Sequence, residues 1–186
     1  MTPARTRTLT TRTAYENPWM RVREDTIALP DGSEAIYGVV EKPPFALVVP
    51  FDGERFHLVG QWRHPLGRFA WELPQGSLRD RPDAPLEEVA RTELREETGL
   101  VAAELTQLGR LDVAAGFSAQ HLVAFLATGL TRDGEPAPEP EEVGLTQRAV
   151  TRAELEELLR TGAITDQATV AAYGLLLLRE RGRAER

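Results

Sequence analysis

Residues 85–99 read Pro-Leu-Glu-Glu-Val-Ala-Arg-Thr-Glu-Leu-Arg-Glu-Glu-Thr-Gly, and this stretch decides the fold of the chain. A proline suited to a first helical turn opens it and Gly99 closes it, which predicts a helix over Pro85–Thr98. At about 100° per residue, Glu93, Glu96 and Glu97 fall on the same half of the helix as its apolar residues. Acidic side chains at the edge of a core repel one another and lose hydration, so a compensating positive charge is expected.

Two interpretations of these glutamates are open from the helix alone. The helix end is exposed and its glutamates are solvated or paired with arginines, or the three carboxylates hold a divalent cation. Oxygen ligands without a nearby His or Cys favour a hard ion, Mg²⁺ or Mn²⁺, over zinc. The preceding segment Trp71–Gly76 favours the cation, because a strand-like run ends there in a turn about ten residues before the helix. Backbone carbonyls of that turn are expected near the same ion, and Glu72 would add a fourth carboxylate.

The rest of the chain predicts a mixed fold. Short β-branched runs separated by turns predict strands at Val22–Leu29, Ala35–Glu41, Leu47–Phe51, Phe56–Trp62, Val101–Val113 and His121–Ala127. The segment Thr131–Glu142 is rich in Pro, Glu and Gly and predicts a loop. Thr151 and Glu154 form a capping-box pattern for a helix to about Arg160, and a longer helix is expected over Asp166–Arg181. This order predicts an α/β (α+β) fold in which helices cover a mixed sheet, with an N-terminal β extension at residues 1–41 and a main domain at residues 42–186.

Composition excludes several functional classes. The chain has 186 residues and a formal charge of −7. It has no cysteine, which excludes disulfides, thiolate metal sites and cysteine nucleophiles. The acidic balance disfavours broad electrostatic binding of nucleic acid or anionic lipid. No apolar segment suited to a secretory signal follows Met1, and the longest apolar run, Leu175–Leu178, is too short to span a bilayer. We therefore expect a soluble, cytoplasmic protein.

The helix and the turn before it resemble the Nudix box, G-x5-E-x7-R-E-U-x-E-E-x-G-U with U aliphatic. The match is Glu93-Leu94-Arg95-Glu96-Glu97-Thr98-Gly99-Leu100, with Gly76 as the leading glycine. Thr92 stands where the pattern has arginine, Ala84 stands where it has its first glutamate, and the loop after Gly76 carries two extra residues. The resemblance implies a Nudix-type α/β/α sandwich.

Flanking motifs are similar to those of the ADP-ribose pyrophosphatase branch of Nudix enzymes. They include Asn17-Pro18-Trp19, the run from Leu58 to Arg63, Trp71-Glu72-Leu73-Pro74, Gly116-Phe117-Ser118 and Gly162–Asp166. The resemblance implies metal-dependent hydrolysis of a nucleoside diphosphate derivative, ADP-ribose or an ADP-sugar, to AMP and a sugar phosphate. Gln75 is similar instead to the Pro-Gln-Gly of dinucleoside polyphosphate and RNA 5′-pyrophosphate hydrolases, which keeps that activity open. Thr92 and Ala84 keep open a non-catalytic nucleotide-binding module.

The resemblance also implies roles for individual residues. Glu93, Glu96 and Glu97, with the Gln75 carbonyl, would hold Mg²⁺ or Mn²⁺, and Glu93 and Glu97 would be catalytic through those ions. The general base would come from the late acidic loop, where Glu139, Glu141 and Glu142 are candidates and Glu142 is preferred.

Four further residues are candidates for binding the substrate. Arg63 has the fork geometry for a phosphate, Glu72 belongs to the Trp71-Glu72-Leu73-Pro74 motif, and Trp19 and Phe117 are candidates to stack a base. The alternatives are a surface arginine and core aromatics. The branch forms homodimers in which N-terminal strands help to build the partner's site, a role that Arg21–Glu41 would fill.

Overall fold

The computed structural model describes residues 5–78, 80–137 and 144–185. Its contacts divide them into two compact units, one made of residues 5–44 and 112–121 and the other of residues 45–111 and 122–185. The acidic-loop candidates Glu139, Glu141 and Glu142 lie outside the described residues. The sequence-based division after residue 41 stays a prediction.

The first unit is built on an antiparallel sheet of three strands in the order β1-β2-β3. They are β1 (Arg7–Asn17), β2 (Met20–Ala28) and β3 (Glu34–Glu41). The last two strands match the sequence prediction, whereas β1 was not expected. The strand is rich in Arg and Thr, and all of its residues except the partly buried Leu9 and Asn17 are exposed, so its sequence carries no burial pattern.

The segment 112–121 completes the first unit by hydrogen bonding to β3. The Phe117 carbonyl accepts from the Val40 N–H at 2.8 Å, and the Tyr37 hydroxyl donates to the Gly116 carbonyl at 2.5 Å. The Ser118 hydroxyl donates to the Val40 carbonyl at 2.6 Å. These bonds hold the loop that carries Phe117 against the last strand of the sheet.

The second unit contains two sheets. One has the order β10-β5-β6 and the other the order β7-β4-β9-β8, in which β4 and β9 are parallel and β4 and β7 are antiparallel. The strands are β4 (Phe45–Pro50), β5 (Arg55–Arg63), β6 (Arg68–Glu72), β7 (Gln75–Gly76), β8 (Leu100–Asp112), β9 (His121–Arg132) and β10 (Thr146–Thr151). The expected mixed sheet is therefore confirmed. Strand β10 was not predicted, because it follows the Pro- and Glu-rich stretch and most of its side chains are exposed.

Three helices accompany these sheets among the described residues: α1 (Leu86–Thr98), α2 (Arg152–Arg160) and α3 (Gln167–Ala184). Helix α1 ends at Gly99, whose φ of 67° is the left-handed conformation expected of a C-terminal glycine. Thr151 and Glu154 form the predicted capping box at the start of α2. Helices α1 and α3 both contact β4, so the central strand of the second unit supports the two helices that border the site.

Helix α1 is fixed by its apolar stripe. Val89, Ala90 and Leu94 are buried, and they pack in one cluster with residues of β4 and β9 such as Val48 and Phe125. Burial of this stripe orients the helix, because its other face carries the exposed Arg91 and Arg95. None of the described helices is long and apolar enough to cross a membrane.

Candidate active site

Three glutamates of α1 lie where the helical spacing predicts. Glu93 is 7% exposed and Glu97 is 1% exposed, both on the buried face, while Glu96 is half-buried at its edge. Removing carboxylates from water is costly unless their charge is compensated. The interpretation of a solvated helix end is therefore wrong for Glu97.

The two buried carboxylates lie against the short strand β7. The Gln75 N–H donates to Glu97 Oε2 at 3.0 Å. A Cβ added at Gly76 would lie 2.5 Å from Glu93 Oε1, so the carboxylate would have to shift. The backbone of β7 thus fixes one carboxylate by a hydrogen bond and leaves room for the other by having no side chain.

The chemistry of these donors fits a hard divalent cation. Carboxylate oxygens from one helix face and carbonyl oxygens of an adjacent turn are the ligand types that Mg²⁺ and Mn²⁺ prefer. Among the described residues, no three acidic, histidine or cysteine side chains converge closely enough to form a complete metal cage. A cation held here would complete its shell with backbone oxygen and water, as Mg²⁺ commonly does. The assignment of Gln75, Glu93, Glu96 and Glu97 as ligands stays a prediction.

A second acidic centre lies at the end of β6. Glu72 is 3% exposed, and burial raises the pKa of its carboxyl group, an effect that the nearby Arg63 guanidinium opposes. Arg63 donates from Nε to Glu72 Oε2 at 3.3 Å and from its terminal nitrogen to Oε1. Gln61 Nε2 donates to Oε1 at 3.2 Å. The structure thus brings together two residues predicted to bind substrate, Arg63 and Glu72, as an ion pair, and their contact with substrate stays a prediction.

The Gln75 side chain connects this acidic centre to α3. Its amide nitrogen donates to Glu72 Oε2 at 3.3 Å and to Asp166 Oδ2 at 3.2 Å. Asp166 is the N-cap of α3, and its Oδ2 also accepts from the Thr169 N–H at 2.8 Å. Sequence reasoning missed Asp166 as a neighbour of the site. The sequence predicted that Asp166 starts a helix, but it did not predict that Asp166 lies beside Gln75, 91 positions earlier.

The described residues on both sides of the acidic loop are attached to the last turn of α1. The Ala137 N–H donates to the Glu96 carbonyl at 2.9 Å, and the Gln147 amide donates to the Glu97 carbonyl at 2.8 Å. Ala137 and Gln147 therefore lie beside the turn of α1 that carries two of the predicted metal ligands.

Trp19 and Phe117 belong to the first unit and are half exposed. Trp19 lies in the turn between β1 and β2, where the Asn17 side chain accepts its N–H at 2.9 Å. Half-exposed aromatics at these positions argue against the interpretation that they are core residues. Base stacking by either ring stays a prediction.

The structure shows the surroundings of Ala84 and Thr92, the two residues that differ from the Nudix box pattern. Ala84 is partly buried and packs with Leu78 and Leu86 against the cluster that anchors α1. Thr92 is partly exposed on the same helix. The chain therefore has apolar packing at the position where the pattern has its first glutamate.

Comparison with known proteins identifies the family of the chain. Residues 6–40 match the family model of a nucleoside diphosphate sugar hydrolase N-terminal domain, and residues 41–173 match that of the NUDIX domain. The chain is 34% identical over 165 residues to the ADP-ribose pyrophosphatase of Mycobacterium tuberculosis, an alignment covering 88% of this chain and 79% of the relative. It is 29% identical over 163 residues to the ADP-ribose pyrophosphatase of Bacillus subtilis, covering 87% of each.

A solved structure supports the fold. The crystal structure of an ADP compounds hydrolase aligns with a TM-score of 0.81 and 21% identity, covering 97% of this chain and 95% of the other. The predicted fold class is thereby confirmed. Because the NUDIX domain model matches more than half of the chain, the protein belongs to the Nudix hydrolase family.

Proposed function

We propose that this Nudix hydrolase cleaves the pyrophosphate bond of a nucleoside diphosphate derivative, ADP-ribose or an ADP-sugar, to give AMP and a sugar phosphate. The observation that carries the proposal is the pair of buried carboxylates, Glu93 and Glu97, held on the backbone of β7. Relatives named ADP-ribose pyrophosphatase support the choice of substrate.

Substrate charge explains why a cation is needed. A pyrophosphate is a dense anion, and the chain carries a formal charge of −7, so approach to an acidic site is unfavourable without a counter-charge. Nudix hydrolases generally need a divalent metal. Mg²⁺ or Mn²⁺ would supply that charge and lower the pKa of a bound water. Glu93, Glu96, Glu97 and the Gln75 carbonyl would hold it, and Glu93 and Glu97 would be catalytic in that sense.

Glu142 is proposed as the general base that takes the proton of the attacking water. A base must come within hydrogen-bonding distance of that water, and therefore close to the metal ligands. Support comes from Ala137 and Gln147, which flank the acidic loop and are hydrogen-bonded to the carbonyls of Glu96 and Glu97. These two flanking residues lie beside the predicted ligands, and this supports the choice of a base from the segment between them.

The alternative of dinucleoside polyphosphate or RNA 5′-pyrophosphate hydrolysis rested on Gln75. In the structure its amide donates to Glu72 and Asp166, so its presence has a structural explanation that does not involve substrate. The acidic balance of the chain gives no support for binding a long polyanion. ADP-ribose therefore remains the preferred substrate class.

Hydrolysis assays test the proposed substrate directly. With Mg²⁺ or Mn²⁺, we expect AMP and ribose 5-phosphate from ADP-ribose, with kcat/KM at least about tenfold above that for diadenosine polyphosphates. Chelation of the metal should abolish turnover. Preference for the diadenosine substrates would support the alternative enzyme, and tight binding of ADP-ribose without turnover would support a non-catalytic module.

Substitution of Gly76 tests the contact between β7 and Glu93. Gly76 has no positive φ, so its backbone accepts alanine, but the new Cβ would displace the Glu93 carboxylate. We expect Gly76→Ala to lower kcat/KM by about 100-fold, the scale of a misplacement of about 1 Å. The control is Gly174→Ala in α3, where a Cβ meets nothing within 4 Å, so activity should persist with a gain of about 0.5–1 kcal/mol in stability. Full activity of Gly76→Ala would contradict the site.

Substitution of the loop glutamates tests the general base. We expect Glu142→Gln to lower kcat by about 10²–10⁴-fold and to remove the acidic limb of its pH profile, because glutamine cannot accept the proton. Glu139→Gln and Glu141→Gln are matched controls with the same loss of charge. Loss of activity in one of these instead would transfer the role to that residue.

A homodimer mediated by the N-terminal strands is also proposed. The first unit exposes large apolar side chains, including Ile36 at 72%, and exposed apolar surface of this kind favours association. We expect sedimentation of the wild-type protein to give the mass of a dimer, and Ile36→Glu to shift it towards the monomer. Val170→Glu, an exposed apolar site on α3, should leave the mass unchanged. A monomeric wild-type protein would refute the dimer.

A further inference from the structure

The turn that carries the predicted metal ligands is anchored to the first turn of α3 at two points. The Leu73 N–H donates to the buried Thr169 hydroxyl at 2.9 Å. Two residues later, the Gln75 amide donates to Asp166 Oδ2 at 3.2 Å. These bonds join residues 73–76 to a helix that contributes no predicted ligand.

This anchoring matters because β7 is weakly held by its own sheet. It is a two-residue strand at one edge, paired only with Ala46 and Leu47 of β4. A strand this short is marginal without support from its side chains. The Gln75 N–H of this strand nevertheless donates to Glu97 Oε2, and the Glu93 carboxylate occupies the space beside Gly76. The orientation of residue 75 therefore sets the positions of both carboxylates.

The Gln75 amide is held by two acceptors from different elements. Glu72 lies at the end of β6 and Asp166 at the start of α3, and both accept from the same amide nitrogen. Asp166 Oδ2 is in turn fixed by the Thr169 N–H at 2.8 Å. A side chain bonded on both sides cannot rotate without breaking one bond, so the backbone of residue 75 is held in one orientation.

We propose that Asp166 is a positioning residue for the metal site, acting through the Gln75 amide on the strand that holds Glu93 and Glu97. The inference rests on the proposed function, because it assigns to these glutamates the binding of a divalent cation. Partners outside the ligand shell commonly change metal affinity by about 10–100-fold. Asp166 would act in this way from the start of a separate helix, α3.

Helix capping is a second role of Asp166, and the two roles can be separated by substitution. Serine caps a helix about as well as aspartate but is too short to reach Gln75. Asparagine caps equally well and can place an oxygen where Oδ2 lies, which preserves both hydrogen bonds. Asp166→Ser should therefore break the link alone, and Asp166→Asn should keep it.

The decisive measurement is a titration of each protein with Mn²⁺ alone, in which electron paramagnetic resonance measures the bound ion. We expect Asp166→Ser to raise the Mn²⁺ dissociation constant about tenfold or more while its melting temperature stays close to wild type, and Asp166→Asn to restore the affinity. Gln75→Met breaks the same link from the other end, so adding Asp166→Ser to it should weaken binding no further. Kinetically, Asp166→Ser should raise the Mn²⁺ concentration needed for half-maximal rate much more than it lowers kcat at saturating Mn²⁺.

Unchanged Mn²⁺ affinity in Asp166→Ser would overturn the inference, whether or not the melting temperature falls. Additive losses in the double variant would also overturn it, because they would show that the two residues act separately. A wild-type protein that binds Mn²⁺ but hydrolyses no nucleoside diphosphate would refute the proposed function, while the same titrations would still decide the role of Asp166. A wild-type protein that binds no Mn²⁺ would refute both.

Discussion

The contact between two buried carboxylates and the backbone of β7 is the constraint on which the site depends. Glu93 and Glu97 are placed in the interior by the apolar stripe of α1, because Val89, Ala90 and Leu94 must be buried on the same side. Burial raises the free energy of the charged carboxylates. The adjacent backbone of β7 lowers that free energy only if β7 keeps its position against the helix. The packing of one helix and the position of one short strand are therefore coupled through the carboxylates.

Charge in this region is handled in two ways. Glu72 is paired with Arg63 within the protein, and Gln61 and Gln75 donate to its oxygens. Glu93 and Glu97 of α1 face the turn at residues 75–76. A cation recruited there would compensate the glutamates and the incoming pyrophosphate together, which explains how an acidic protein can act on an anionic substrate.

Local signals predicted much of the fold and part of the site. The amphipathic period placed Glu93 and Glu97 inside, Gly99 ended the helix, and Thr151 capped the next one, because each depends on residues within a few positions. Strand β1 was missed because an exposed strand needs no apolar alternation. The bond from Gln75 to Asp166 was missed because it depends on the packing of α3 beside residues far away in sequence. The sequence period predicts which face of a helix or strand is buried, but it does not predict which element packs against that face.

The departures at Ala84 and Thr92 can be understood from the same coupling. Both lie in the half of the Nudix box that precedes Glu93, and Ala84 joins the apolar cluster under α1 with Leu78 and Leu86. Apolar packing of Ala84 therefore contributes to the contacts that position the helix. The half of the helix that carries Glu93 and Glu97 contacts β7, ends at Gly99 and accepts hydrogen bonds from Ala137 and Gln147. These contacts all lie near the glutamates, and none of them involves the side chain of Ala84 or Thr92.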